Sequence, residues 1–210
     1  MTNRLLIVFT KNLIAGKVKT RLAKTIGDQS ALKVYEFLLN HTQNLTEDIV
    51  CDRQVGYAEH IVEEDIWAGS RTSKFIQNGS DLGERMSRAF KDGFKAGYDH
   101  IILIGSDCFE LQSKHLDSAF RALNEYDVVI GPARDGGYYL IGMSDFRPEL
   151  FLEQNWGTSA VLKQTLHQIN NEDVFLLDEL NDIDNFDDLK ENQELLELLN
   201  INDKIYKSDN

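Results

Sequence analysis

Three groups of residues in this chain have the types and spacing to hold an anionic ligand or a divalent cation. The first is Gly16-Lys17-Val18-Lys19-Thr20-Arg21. A glycine lets backbone amides come close to a phosphate, and Lys19 and Arg21 supply the charge a diphosphate requires. Four cations fall between Lys11 and Arg21 with no acid among them, in a chain whose formal net charge is −13. The same run also fits a solvated basic loop. Two nucleotide signatures are excluded. In GxxxxGK[ST], Lys11 stands at the first glycine position and Val18 follows Lys17; and no GxGxxG follows the first apolar run.

The second group is Gly105-Ser106-Asp107-Cys108, at the end of the apolar run from His100 to Gly105. An aspartate there offers a hard oxygen suited to Mg²⁺ or Mn²⁺, which takes one or two carboxylates and draws its other ligands from phosphate and water. As a structural residue it would form a turn. Cys108 has no histidine arranged to activate it and reads as a small buried thiol. The third group is Asp182-Ile183-Asp184. In an extended segment alternate residues point the same way, so Asp182 and Asp184 converge on one point. Asp187 and Asp188, just beyond, read as helix first-turn acids favoured by the macrodipole. A calcium loop is excluded by the absence of a mid-loop glycine and of the later glutamate. A fourth stretch, Gly131 to Gly142, carries Asp135-Gly136-Gly137-Tyr138-Tyr139; taken alone it reads as a hairpin turn. The five histidines show no zinc spacing.

These residues need elements to position them. Arg4 to Thr10 is a strand apolar on both faces, as in a parallel sheet covered by helices. Lys11 to Arg21 is a loop. Asp28 is placed to cap a helix through about Leu45, whose apolar positions Ala31, Val34, Tyr35, Leu38 and Leu39 recur at helical spacing. Further strands are expected at 55–58, 74–77, 100–105, 127–131, 138–143 and 174–177. Helices are expected at 82–96, 114–124, 158–169 and 187–199. The polar tail of about 201–210 is expected to fray. Strands alternating with helices predict an α/β fold with a mostly parallel sheet. Ligands of such sheets bind at the carboxyl ends of the strands, which directs attention to the loops after Thr10, Gly105 and Gly131.

Composition bounds the rest. At 210 residues and 42% hydrophobic, the chain suits one domain with a sizeable core. Its acidity repels nucleic-acid phosphates and anionic lipids. The Leu5–Phe9 run is too short for a signal-peptide core or a membrane span, and no longer apolar segment follows, so a cytoplasmic protein without membrane insertion is expected. Cys51 and Cys108 are too few for a disulfide framework.

Taken together, the segments resemble the bacterial glycosyltransferase-A-like proteins once grouped as a domain of unknown function, related to nucleotide-diphosphosugar transferases. Some of these are labelled arsenosugar-biosynthesis glycosyltransferases; more distant relatives are nucleotidyltransferases. The matching pieces are Phe9-Thr10-Lys11 with Gly16 to Leu22; Gln77 with Asp81-Leu82-Gly83-Glu84-Arg85-Met86; Gly105 to Cys108; Gly131-Pro132-Ala133 with Asp135 to Gly142; Trp156; and Asp182-Ile183-Asp184. The family's proline in the first loop is absent from Asn12 to Ile14, and its proline after the cysteine is replaced by Phe109. Both prolines shape loops rather than perform chemistry.

The resemblance implies one domain over residues 1–210, a Rossmann-like three-layer α/β/α sandwich around a mostly parallel mixed sheet. It implies that Gly16, Lys19 and Arg21 meet the donor phosphates and that Gln77, Gly83 and Arg85 lie on the nucleotide. Asp107 with Asp182 or Asp184 would hold Mg²⁺ or Mn²⁺. Gly136, Gly137, Tyr138 and Tyr139 would fall on the acceptor side, with Asp135 as the base toward an acceptor hydroxyl. The function expected is glycosyl transfer from a nucleotide sugar to a small acceptor. The alternatives are nucleotidyl transfer from a nucleoside triphosphate with pyrophosphate release, and a non-catalytic nucleotide-binding module. No residue pattern names the base, sugar, acceptor, stereochemistry or oligomeric state.

Overall fold

A computed structural model describes residues 2–152, 154–170 and 173–198. Its strands are β1 (Arg4–Thr10), β2 (Asp52–Tyr57), β3 (Thr72–Ile76), β4 (His100–Ile104), β5 (Val128–Pro132), β6 (Tyr138–Met143) and β7 (Val174–Leu176). Its helices are α1 (Thr20–Ile26), α2 (Asp28–Glu47), α3 (Leu82–Lys95), α4 (Ser113–Ala122), α5 (Val161–His167), α6 (Phe186–Glu191) and α7 (Gln193–Leu198), with one 3₁₀ turn at Pro148–Phe151. The polar tail at 201–210 lies outside the described residues.

The strands form one sheet in the order β3-β2-β1-β4-β6-β5-β7. Every neighbouring pair is parallel except those involving β6, which runs antiparallel to both β4 and β5. The β5–β6 connection is therefore a hairpin, and β6 inserts between β4 and β5. The continuous apolar runs of β1 and β4 follow from burial on both faces, since side chains alternate across a strand. Leu6 and Val8 of β1 join Ile102 and Ile104 of β4 in one core, covered by α2 and α4. Leu5, Ile7, Ile101 and Leu103 face the other way, onto Met86, Ala89 and Phe90 of α3. The result is a three-layer α/β/α sandwich. No helix among the described residues is long and apolar enough to cross a membrane.

The α3 helix is set by its own N-terminus. The Asp81 carboxylate accepts the Glu84 N–H at 2.8 Å, and the Glu84 carboxylate reaches back to the Ser80 N–H and hydroxyl. These contacts satisfy donors that no intrahelical carbonyl can reach.

Several local expectations are corrected. The stretch read as a loop to Arg21 turns helical at Thr20. Asp28 is not the cap of α2: Gly27 holds that position at φ 81°, and Asp28 is the first helical residue. Gly27 also ends α1, and a chain that leaves one helix and enters the next within one residue needs a backbone that glycine adopts freely. The helix expected at 158–169 is shortened to α5. The final helix is split at Asn192, whose φ and ψ of −106° and 81° break it; its side-chain oxygen then accepts the Leu195 N–H. Residues 58–71 contain no helix or strand, yet they bury Trp67 to 1% exposure under the Arg53 guanidinium.

Candidate active site

The cleft forms where β1 and β4, adjacent and parallel, both end at their carboxyl edge. Residues of the loops that follow both strands line a crevice about 530 Å³ in volume there. Tyr35 of α2 ties the two loops together. Its hydroxyl accepts the Lys11 N–H at 2.8 Å and lies 2.9 Å from the Ser106 hydroxyl and 3.1 Å from that of Thr10. Burial pushes the Tyr35 phenol up, so it stays a neutral hydroxyl at the bottom of the cleft. Sequence periodicity marked Tyr35 only as an apolar-face residue. The available signal was that a tyrosine on a buried helix face must find a partner for its hydroxyl. Tyr35→Phe is expected to destabilise the fold by about 1–2 kcal/mol, because the Lys11 N–H loses its acceptor. Urea denaturation of this variant, of Ser106→Ala and of the double variant would show a non-additive pair; strictly additive losses would mean that the hydroxyl does not join the loops.

Lys19 stands at the N-terminus of α1 with φ 46° and ψ 44°. It is the one non-glycine residue at positive φ among the described residues. A left-handed lysine is strained by about 1 kcal/mol or more, so other contacts must hold it. Its ammonium lies 2.9 Å from Asp107 Oδ2 and 3.0 Å from Asp184 Oδ1, and the side chain is 4% exposed. Burial alone would lower the lysine, but the two carboxylates outweigh it and raise it above its ordinary value. Burial likewise opposes ionisation of Asp107, and the ammonium overrides it, holding that carboxyl below the usual range.

Asp182 and Asp184 reach the site through a backbone link. The Ile183 N–H donates to the Asp107 carbonyl at 3.1 Å, and the Leu180 N–H donates to the Pro132 carbonyl at 3.1 Å. Ile183 is buried with Leu22, Val34, Leu38 and Leu189; Asp182 and Asp184 both line the cleft. Burial, and then the neighbouring Asp107 carboxylate, push the Asp182 carboxyl well above its ordinary range. Its Oδ1 is buried without a hydrogen-bond partner. Arg21 NH1 lies 3.7 Å from Asp184 Oδ2, with its own side chain 66% exposed at the rim.

The structure thus gathers Lys19, Arg21, Asp107, Asp182 and Asp184 at one wall. Gln77, Arg85, Tyr138 and Tyr139 also line the cleft. The Gln77 amide N–H₂ is already committed, donating to the Thr10 and Gly56 carbonyls at 3.1 and 2.8 Å, which leaves its oxygen as the free group. Tyr139 donates its hydroxyl to the Asp178 carbonyl at 3.0 Å.

Five expected residues are not among those lining the cleft. Gly16 makes the turn before α1 at φ 79°. Gly83 packs against Trp156, whose ring atoms would lie 2.5 Å from an added Cβ; its smallness serves helix packing. Asp135 is exposed on the β5–β6 hairpin, where its Oδ1 accepts the Gly137 N–H at 2.8 Å. Gly136 and Gly137 belong to the same turn. Asx turns of this kind use the carboxylate locally. Leu82 and Met86 of α3 add apolar side chains to the cleft lining.

A mostly parallel sheet with a charged cleft at the carboxyl ends of β1 and β4 is the nucleotide-diphosphosugar transferase type of α/β fold. The chain belongs to the family described as "Uncharacterized protein conserved in bacteria (DUF2064)", which matches residues 41–158. A protein of Desulfovibrio desulfuricans G20, provisionally described as a nucleotide-diphospho-sugar transferase, has a similar structure at TM-score 0.82 and 29% identity, covering 95% of this chain and 99% of its own. A CMP:2-keto-3-deoxy-manno-octonic acid synthetase in complex with CTP shares the fold at TM-score 0.57 and 10% identity, covering 94% of this chain and 99% of its own. A Mycobacterium tuberculosis H37Rv protein in complex with manganese does so at TM-score 0.53 and 14% identity, covering 93% and 98%. At those identities the last two establish the fold alone. No curated protein matches the chain in sequence.

Proposed function

We propose that this protein is a glycosyltransferase that uses a nucleotide-diphosphosugar donor, Mg²⁺ or Mn²⁺, and a small acceptor. The observation that carries this reading is the convergence of Lys19, Arg21, Asp107, Asp182 and Asp184 on one cleft wall at the sheet's carboxyl edge. The likeness to the Desulfovibrio protein supports a sugar-nucleotide donor over other phosphate ligands.

A divalent metal fits the residues present. Asp107, Asp182 and Asp184 offer hard oxygens in one cleft, and the orphaned Asp182 Oδ1 lacks a partner that a cation would supply. When bound, the metal supplies a Lewis acid for the donor's phosphate oxygens. The chain's own groups do the rest. Lys19 and Arg21 place positive charge where the leaving diphosphate gains negative charge. The Gln77 oxygen, fixed by its two amide bonds, presents an acceptor to the nucleotide. Tyr35 keeps the Lys11 and Ser106 loops in register. Asp135 is not carried into this reading, since it lies on the hairpin and its carboxylate is used in the turn.

Arg21→Ala is expected to weaken nucleoside diphosphate binding about tenfold and leave nucleoside binding nearly unchanged, because a charge-assisted contact is lost only with the anion. Calorimetry with paired diphosphate and nucleoside ligands checks this; equal losses would assign the arginine a folding role. The activity itself is tested by incubating the protein with Mn²⁺ and panels of nucleotide sugars and nucleoside triphosphates. Release of nucleoside diphosphate from a nucleotide sugar supports the proposal. Pyrophosphate release from a triphosphate would replace it with nucleotidyl transfer. Binding without turnover of any compound would leave a nucleotide-binding module.

A further inference from the structure

The carboxylates that fit a metal are not free in this structure. The Lys19 ammonium bridges Asp107 Oδ2 and Asp184 Oδ1 at 2.9 and 3.0 Å, almost wholly shielded from solvent. Among the described residues, no three histidine, cysteine, aspartate or glutamate side chains gather into a ready-made metal cage. The lysine also sits in a left-handed backbone conformation at φ 46° that an L side chain resists. A strained residue is retained where surrounding contacts over-determine it, and here the contacts are the two ion pairs. The Asp182 carboxylate, beside this pair, keeps one buried oxygen without a partner.

We infer that Lys19 is a tethered counter-cation that closes the carboxylate site to free divalent ions, so that the ligand this site accepts is a divalent metal together with a nucleoside diphosphate. The inference rests on the metal-dependent reading given above and specifies what the site admits. The physical argument is charge balance. Two carboxylates faced by the Lys19 ammonium and, at 3.7 Å from Asp184, the Arg21 guanidinium offer a free cation little net attraction, because the cation must first displace a like charge held at hydrogen-bond distance. A diphosphate changes that balance. Its oxygens give the Lys19 ammonium a new anionic partner, releasing Asp107 and Asp184 for the metal. Metal and diphosphate affinities then rise together, each by the same factor, as linkage requires.

The test measures Mn²⁺ binding by water-proton relaxation, with and without an equimolar mixture of ADP, CDP, GDP and UDP. Wild-type protein is expected to bind Mn²⁺ at least about tenfold more tightly when the diphosphates are present than when they are absent, after correction for Mn²⁺ bound by free diphosphate. Lys19→Met, which keeps the length of the side chain and removes the charge, is expected to bind Mn²⁺ alone at least about tenfold more tightly than wild type and to lose most of the coupling. Lys19→Arg keeps the charge and is expected to stay closed to the free ion. A folded Lys19→Met protein with no gain for free Mn²⁺ would overturn the inference while leaving the metal-dependent reading in place. Wild-type protein that takes free Mn²⁺ as tightly as Mn²⁺ with diphosphate would overturn it too, and needs no variant to fold. Diphosphate binding that Mn²⁺ never strengthens would overturn the metal-dependent reading and this inference together.

Discussion

Replacing Asp107 with asparagine is expected to remove about two orders of magnitude of metal-dependent nucleotide affinity, about 2.8 kcal/mol. Asp107 lies in the loop after the buried strand β4 and lines the cleft with its side chain 35% exposed. It also links the segment from Leu180 to Asp184 to the site through its own carbonyl. Asparagine keeps that carbonyl and nearly the same volume, so the backbone link survives. It removes the charge on which both Lys19 and a divalent cation depend. The fold should hold. Lys19 retains Asp184 at 3.0 Å, and Asp107 itself is about one-third exposed, so the stability cost is about 1–2 kcal/mol rather than the larger penalty of a charge left with no partner. Calorimetric titration of nucleoside diphosphates with Mn²⁺ and with chelator, alongside thermal unfolding, separates the two effects. Unchanged metal dependence in a folded variant would remove Asp107 from the metal site.

Gly136→Ala is expected to give the largest loss of stability, about 3 kcal/mol or more. Gly136 has φ 87° on the β5–β6 hairpin. An added Cβ would fall on the Ser159 carbonyl oxygen and 2.6 Å from the Ser159 Cα. Both obstacles are backbone, which cannot swing away as a side chain can. The Gly136 carbonyl also accepts the Leu162 N–H at 2.9 Å, so the hairpin is pinned to the start of α5. For a chain of this size the melting temperature should fall by about 6–12 °C. Gly27→Ala provides the contrast. Its φ of 81° is as unfavourable, but nothing lies within 4 Å of the added Cβ, so only the conformational cost of about 1–3 kcal/mol applies. Equal shifts for the two variants would show that Ser159 yields, and that the hairpin contact is loose.

The loss at Gly136 bears on the cleft as well as on stability. Tyr138 and Tyr139 follow the hairpin directly and line the cleft, and Tyr138 meets Trp156 edge-on with ring centroids 6.4 Å apart. Trp156 in turn packs on Gly83 at the start of α3. A hairpin displaced from α5 would therefore disturb Tyr138 and Tyr139 in the cleft lining, and the Trp156 ring packed behind Tyr138.

What the sequence determined by itself is the set of elements whose pattern is local. The uninterrupted apolar runs of β1 and β4 could lie only in a sheet covered on both faces, and the structure buries them so. The helices α2 and α3 followed from apolar residues at helical spacing. The motifs, taken in order, pointed to the three-layer fold through their resemblance to a family that has it. The alternation of Asp182, Ile183 and Asp184 put the two acids on one side of an extended segment, since a period of two needs no knowledge of the partner; both line the cleft.

Only the tertiary structure decided what these residues meet. Lys19 contacts Asp107 and Asp184 across separations of 88 and 165 residues, which no local pattern encodes. The Gly83 motif looked like a ligand contact, but Trp156 comes to fill the space beside it. The Asp135 carboxylate looked available until the hairpin turned it onto its own backbone. Tyr35 looked like core until two loops from different strands met at its hydroxyl. The insertion of β6 between β4 and β5 is a choice of strand pairing rather than of strand formation. Side-chain periodicity fixes which face of an element is apolar. Which elements those faces cover, and hence which charges share a cleft, depends on packing between segments far apart in the chain, where burial and charge balance are settled jointly.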